Sequence, residues 1–260
     1  MRKSSLLTLT LALALGGALS LQAEDFRWEG QLAKGKTIEV KGINGGIDAT
    51  AASGDSVVVT AVKRGKRSEP KEVKIEVVEH GGGVTVCAVY PSSSSSKPNE
   101  CLPGSGGRMR THKNDVKVEF TVQVPKGVHF VGRTVNGGIE ATSLSANAEA
   151  HTVNGGIKLS TSGHGKAETV NGSIKASLGS ADWTGDLEFE TVNGSITLEL
   201  PEGTGANVSA RTVNGSIETV FPLTVKGKFG SKRISGTIGG GGRELALETV
   251  NGSIRLKKGS

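Results

Sequence analysis

The sequence predicts an all-β chain, most of it a stack of repeated coils, and three observations carry that prediction. Glycine supplies 39 of the 260 residues while aromatics are held to 3%, against an average glycine usage of about 7%. Each interior glycine costs a helix about 1 kcal/mol relative to alanine, so long helices are disfavoured. With only 7 Pro and no three-residue glycine period, a collagen helix is excluded as well. Second, Thr-Val-Asn-Gly-(Gly/Ser)-Ile recurs at 134–139, 152–157, 169–174, 191–196, 212–217 and 249–254. Third, apolar alternation changes phase at the Thr-Val step: Leu187, Phe189 and Thr191 share one parity, and Val192, Gly194, Ile196, Leu198 and Leu200 share the other. Strand side chains alternate strictly, so the shift marks a bulge, a corner or a tight turn in every copy.

From the N-terminus, Arg2 and Lys3 precede an apolar run from Leu6 to Leu21, broken by Gly16 and Gly17, with Leu21-Gln22-Ala23 offering a cleavage point. This reads as a secretory signal peptide over 1–23, with no cysteine following it to indicate a lipid anchor. The mature chain has 237 residues, with 29 Lys and Arg against 25 Asp and Glu, a net +4. No later stretch is long or apolar enough to span a bilayer. Residues 24–125 are expected to form an N-terminal β region and 126–260 the repeats, continuous with it as one domain. The first region holds an early copy, Gly42-Ile43-Asn44-Gly45-Gly46-Ile47, and four further strands, Val57–Val62, Val73–Val78, Val84–Tyr90 and Val116–Val124. These strands would cap the solenoid end. Cys87 and Cys101, both in the exported part, are expected to pair. Their bridge closes a loop worth about 3 kcal/mol around the flexible tract Pro91–Pro98. A decayed eighth copy is read at Arg233–Ile238.

Two architectures accommodate the repeat. In a β-solenoid each copy is a corner, with Val and Ile pointing inward on either side of a glycine where backbones approach. In an antiparallel meander each Asn-Gly is a type I′ hairpin turn that pairs Thr191 with Ile196. The solenoid is preferred because stacked corners explain why the motif recurs, and because the hairpin would leave every Val at a solvated position. The structural residues on this reading are Asn44, Gly45, Asn136, Gly137, Asn154, Gly155, Asn171, Gly172, Asn193, Gly194, Asn214, Gly215, Asn251 and Gly252.

Candidate chemistry is sparse. Asn-Gly-Ser fits the glycosylation pattern at Asn171, Asn193, Asn214 and Asn251, as does Asn207-Val208-Ser209, but Asn136 and Asn154 keep the Asn without the acceptor, so backbone geometry is the better reason. Ser94 and Lys97 match Ser-x-x-Lys only because they sit in a serine tract. Preceding each motif Thr stand Arg133, His151, Glu168, Glu190, Arg211 and Glu248, a ladder better read as a solvated face than as a paired-carboxylate site. The five histidines show no metal spacing, so no catalytic residue, cofactor or metal is expected. Basic residues gather at Lys63, Arg64, Lys66 and Arg67, with Lys71 and Lys74, and again at Arg108, Arg110 and Lys113. The first run is the candidate contact for an anionic polymer.

Phe26-x-Trp28, Gly42–Ile47, Val124-Pro125-Lys126-Gly127-Val128 and the serial Thr-Val-Asn-Gly-Ser-Ile motif together resemble the bacterial putative adhesin family, a domain of unknown function in exported envelope proteins. The resemblance covers most of 26–258. It implies a right-handed β-solenoid with a pectin-lyase-like outline, an envelope location and no established catalytic residues. The expected function is therefore an exported, non-enzymatic module in the periplasm, at the surface or secreted. It would contact an envelope or extracellular polysaccharide or a surface protein, and no nucleic acid. The alternatives are a polysaccharide lyase or hydrolase on the same fold and a periplasmic stress or signalling partner.

Overall fold

The computed structural model describes residues 26–92, 97–183, 186–225 and 232–259; segment 1–23, which the sequence reads as a signal peptide, and Ser94 of the serine tract lie outside them. The N-terminal region contributes β1 (Phe26–Gln31), β2 (Thr37–Lys41), β3 (Ile47–Ala51), β4 (Ser56–Arg64), β5 (Lys74–His80), β6 (Gly83–Val89) and β7 (Lys117–Val124). Then follow β8 (His129–Arg133), β9 (Ile139–Leu144), β10 (Ala148–His151), β11 (Ile157–Thr161), β12 (Gly165–Asn171), β13 (Ile174–Leu178), β14 (Leu187–Asn193) and β15 (Ile196–Leu200). The chain closes with β16 (Ala206–Asn214), β17 (Ile217–Thr219), β18 (Leu223–Val225), β19 (Arg233–Ile238), β20 (Glu244–Asn251) and β21 (Ile254–Lys258). No helix among the described residues is long and apolar enough to cross a membrane.

The strands form two long sheets, in the orders β1-β4-β7-β3-β9-β11-β13-β15-β21-β17 and β18-β19-β16-β20-β14-β12-β10-β8-β2-β6-β5. Each motif copy links a strand of the second sheet to a strand of the first, and successive copies pair in parallel, as Ile174 with Ile196 and Thr169 with Thr191. That is a β-solenoid. The hairpin alternative fails on this pairing and on the backbone, since a type I′ turn needs positive φ at its Asn. Among the described residues the only non-glycine positions with positive φ are Lys113 and Ser143.

The corner differs from expectation in one respect. Thr and Ile face the core, whereas Val faces out: Thr191 is 4% exposed and Ile196 0%, but Val192 is 40% exposed. The hydroxyl explains the exchange. Thr191 Oγ1 donates to the Gly172 carbonyl of the neighbouring rung at 2.8 Å, and Thr134, Thr152, Thr169, Thr212 and Thr249 repeat the bond at 2.8–3.0 Å. A buried hydroxyl is tolerated when it is bonded, and Val, stacked on its copy about 4.8 Å away, covers its neighbour while holding the extended backbone. Thr191→Val, which keeps shape and deletes the donor, should cost about 1–3 kcal/mol in urea melts, because the partly buried Gly172 carbonyl is left without it.

Asparagine makes a second ladder. The Nδ2 atoms of Asn136, Asn154, Asn171, Asn193, Asn251 and Asn214 each donate to the Oδ1 of the preceding rung, starting from Asn44, at 2.7–2.9 Å. The sequence of that ladder shows that stacking order departs from chain order. The rung of β20 and β21 sits between that of β14 and β15 and that of β16 and β17, and the early copy lies beside β8 and β9. Arg243 holds the inserted rung in place: it donates to the carbonyls of Trp183 and Ala181 at 2.8 and 3.1 Å, pairs with Asp182, and lies 5.7 Å from the Trp183 ring centre. The segment read as an eighth copy is no rung: β19 runs antiparallel to β16 and, with β18, closes that edge.

At the opposite end β6 and β7 form a further parallel rung against β2 and β3, and antiparallel β5, β4 and β1 cover it. This is the cap that a solenoid edge needs to avoid pairing with another chain. One apolar core, from Ile38 to Leu256, runs through cap and repeats alike.

Candidate functional site

Register on the second sheet builds two outward ribs. The inner one carries Glu39, Val131, Glu149, Lys166 and Glu188 on successive rungs, and the outer one Lys41, Arg133, His151, Glu168, Glu190, Glu248 and Arg211. Ion pairs form between rungs. Lys166 bridges Glu188 at 2.5 Å and Glu168 at 3.1 Å, His151 lies 3.1 Å from Glu168, and Arg211 is 3.7 Å from Glu248. Hydrogen bonding to Glu188 and Glu168 raises the pKa of Lys166. For Glu168 burial pulls upward, but Lys166 and His151 together hold its carboxyl below the ordinary range.

Glu190 differs. Burial, then the charges of Glu188, Glu168 and Glu248, push its carboxyl above the ordinary value. A carboxyl raised in the folded state makes stability fall as pH rises from the unfolded value through the folded one. Glu190→Gln should therefore raise the melting temperature at pH 7, and the gain should shrink to nothing as pH falls below the carboxylate range. Thermal melts across pH 3–8 check the sign.

Beside the outer rib runs the unexpected apolar edge. Val153, Val170, Val192, Val250 and Val213, on successive rungs, are 36–44% exposed. A shallow groove of about 380 Å³ lies along it, lined by Val170, Val192, Val250, Glu168, Glu190 and Glu248.

The cysteine loop is docked against the start of these ribs. Cys87 and Cys101 are bonded, with Cα atoms 5.7 Å apart. Glu39 and Lys41, each 5% exposed, lie under the segment that follows Cys101. Lys41 Nζ donates to the carbonyls of Leu102 and Gly104 at 2.5 Å and of Gly106 at 3.3 Å, one for each ammonium hydrogen. Glu39 accepts from Gly104 N at 2.9 Å, Thr85 Oγ1 at 3.0 Å and Arg133 Nε at 3.0 Å. Burial lowers the pKa of Lys41, against the pull of Glu39. At the loop base the Tyr90 hydroxyl donates to the Val116 carbonyl at 2.8 Å, and burial pushes the phenol up to about 12.

The first basic run lies where β4 ends. Lys63 is half-buried, its Nζ 3.3 Å from the Val73 carbonyl, while Arg64, Lys66 and Arg67 are exposed. Asp115 accepts from Arg67 N and Ser68 N and lies 3.6 Å from the Arg67 guanidinium, so the run adjoins the segment that carries Arg108, Arg110 and Lys113.

Of the Asn in glycosylation patterns, the four in the repeats spend their amides in the ladder, and Asn207 donates to Glu244 at 2.8 Å. A carboxylate group that the sequence left unnoticed appears on the first sheet. Asp48 stands beside Glu140 in register, and Glu119 accepts from Gly46 N at 2.7 Å nearby. Burial, then Glu140 and Glu119, raise the pKa of Asp48. Only parallel stacking unites residues so distant in the chain. Another hollow, of about 490 Å³, is lined by Ser143, Ser160, Thr161, Ser162, Ser177 and neighbouring residues, with no ionisable side chain among them. Among the described residues no three His, Cys, Asp or Glu converge as metal ligands.

No curated protein matches the chain. Among solved structures it is similar to one described as a putative cell adhesion protein from Clostridium sporogenes, at 11% identity over 90% of this chain and 99% of that one, with a TM-score of 0.46. A second is described as a putative adhesin from Bacteroides fragilis, at 13% identity over 89% and 96% of the two chains, with a TM-score of 0.38. The family model for Toastrack DUF4097 matches residues 109–257, more than half of the sequence and all six serial Thr-Val-Asn-Gly copies, so the chain belongs to the Toastrack DUF4097 family.

Proposed function

We propose that the protein is an exported, non-enzymatic binding module of the cell envelope, an adhesin or structural element whose mature chain starts near Glu24. It lays one side of its solenoid along an envelope or extracellular polysaccharide or a surface protein. The observation that carries this reading is the valine edge, five rungs of side chains 36–44% exposed in an unbroken row. At about 4.8 Å per rung the row is roughly 19 Å long, and contiguous exposed apolar surface rimmed by charge marks contact surfaces. The rung-to-rung ladders hold that surface rigid before a partner arrives, which lowers the ordering cost of binding.

Incubating the mature protein with fractionated envelope and with plant-type glycans tests the reading. Binding without any change in polymer length is expected, and Val170→Ser combined with Val192→Ser should weaken it at least tenfold at an unchanged fold. Depolymerisation would overturn it in favour of a polysaccharide lyase or hydrolase. That second reading has one observation behind it, the raised carboxyl of Asp48 beside Glu140, which suits a proton donor. In that case Asp48→Asn would abolish cleavage.

A further inference from the structure

Described residues before and after Cys101 line a cavity of about 340 Å³, among them Ser92, Lys97, Arg108, Arg110, Thr111 and His112. The backbone beneath it is fixed. Asn99 Nδ2 donates to the carbonyls of Tyr90 and Arg110 at 2.9 and 2.6 Å, and its Oδ1 accepts from Arg110 N at 3.0 Å. Glu100 and Arg108 exchange both main-chain hydrogen bonds, at 2.9 and 3.1 Å. With the Cys87–Cys101 bond, these contacts hold two arms of the loop together and set their cations around one space.

Those side chains lack close ion-pair partners. Among the described residues Lys97, Arg108, Arg110 and His112 form no ion pair, whereas Arg133, Lys166, Arg211, Arg243 and Arg255 all do. Among the described residues no carboxylate lines the cavity. Segment 97–113 carries four Lys and Arg against Glu100 alone, and 63–74 carries six against two Glu, so these adjoining stretches exceed the whole mature net charge and the remainder is acidic. Permanent cations facing one another without a counter-charge repel, and an anion placed between them relieves that. Arginine forks match phosphate oxygens two at a time. A cavity this large falls in the range that holds a small organic molecule rather than a bare ion, and the hydroxyls of Ser92 and Thr111, which donate to the carbonyls of Lys97 and Asn114 at 3.0 and 3.2 Å, have oxygens that can accept from sugar hydroxyls.

We infer that the cavity binds a phosphorylated sugar unit of an anionic glycan, with the phosphate gripped by Arg108, Arg110 and Lys97. This deepens the binding-module reading and rests on it. The cavity, not the Lys63–Arg67 run, is then the specific contact, and that run adds only long-range attraction.

Calorimetric titration of the mature, disulfide-intact protein with glucose 1-phosphate, inorganic phosphate and glucose tests it. The ester should bind more tightly than inorganic phosphate, and glucose should not bind. Arg108→Gln with Arg110→Gln should raise Kd for the ester at least tenfold, while Lys66→Gln with Arg67→Gln, an equal loss of charge, should raise it less than twofold. All four side chains are at least partly exposed, so both variants should melt with the parent. Equal losses in the two variants would overturn the inference in favour of diffuse attraction. Inorganic phosphate binding as tightly as the ester would overturn the sugar assignment. Val170→Ser with Val192→Ser should leave the ester's Kd unchanged, so the edge and the cavity fail separately.

Discussion

Gly194→Val is expected to be the most damaging substitution in the repeats, costing more than about 4 kcal/mol and leaving little folded protein at 25 °C, since domains of this kind have about 5–15 kcal/mol in all. The reason is backbone contact, not the inward parity that the sequence suggests. A Cβ at Gly194 would lie 2.0 Å from the Gly172 carbonyl oxygen and 2.5 Å from its carbon. No side chain can rotate away from that; the rungs themselves must separate, and with them the Thr191 and Asn193 bonds to the same neighbour. Ser195→Val next door should cost only about 0.5–1.5 kcal/mol, the worth of one hydrogen bond, here the one that Ser195 Oγ accepts from Ser253 N at 3.2 Å. Urea denaturation of the pair decides the matter. Similar midpoints would mean that the corners do not stack at the observed spacing.

The same contact explains what was legible in the sequence and what was not. A glycine after every Asn is forced by the carbonyl of the next rung, so the repeat could be read as a stack from composition and spacing. The core parities of Phe189, Leu198 and Leu247 followed from strand alternation. Val192 could not be placed that way, because hydropathy favours burying Val over Thr. The deciding factor is a carbonyl on another rung that needs a donor, which no local pattern records. Rung order was hidden for a related reason: identical corners stack on one another in any order, so the motif cannot name its neighbour. The contacts that choose are unique ones, Arg243 against Trp183 and Asp182 above all. At the candidate site the cations of Arg108 and Arg110 were visible as charge. Their convergence with Lys97 depends on the Asn99 amide spanning the loop, and the meeting of Asp48 with Glu140 depends on the early copy returning to the stack.

Lys41→Met should cost about 3 kcal/mol, far more than loss of an exposed cation, because removing one member of a buried pair strands the other. Three carbonyls, of Leu102, Gly104 and Gly106, lose their donor together, and Glu39 keeps only Arg133 from the two cations beside it. An exposed pair such as Lys158 with Glu140, at 2.6 Å, should by contrast be worth under about 1 kcal/mol. The loss at Lys41 falls on the loop before it falls on the core. Proteolytic nicking within 102–106 should quicken in Lys41→Met while the strands still melt in one transition. The double change Glu39→Met and Lys41→Met should restore part of the global stability, since replacing both charges removes the stranded partner although Thr85 Oγ1 and Arg133 Nε lose an acceptor, but it should not restore the loop, whose carbonyls still lack donors. If the cavity formed by Lys97, Arg108 and Arg110 depends on that docking, glucose 1-phosphate affinity should fall in the single and the double variant alike. Recovery of stability without recovery of affinity would separate what holds the solenoid together from what presents its ligand site.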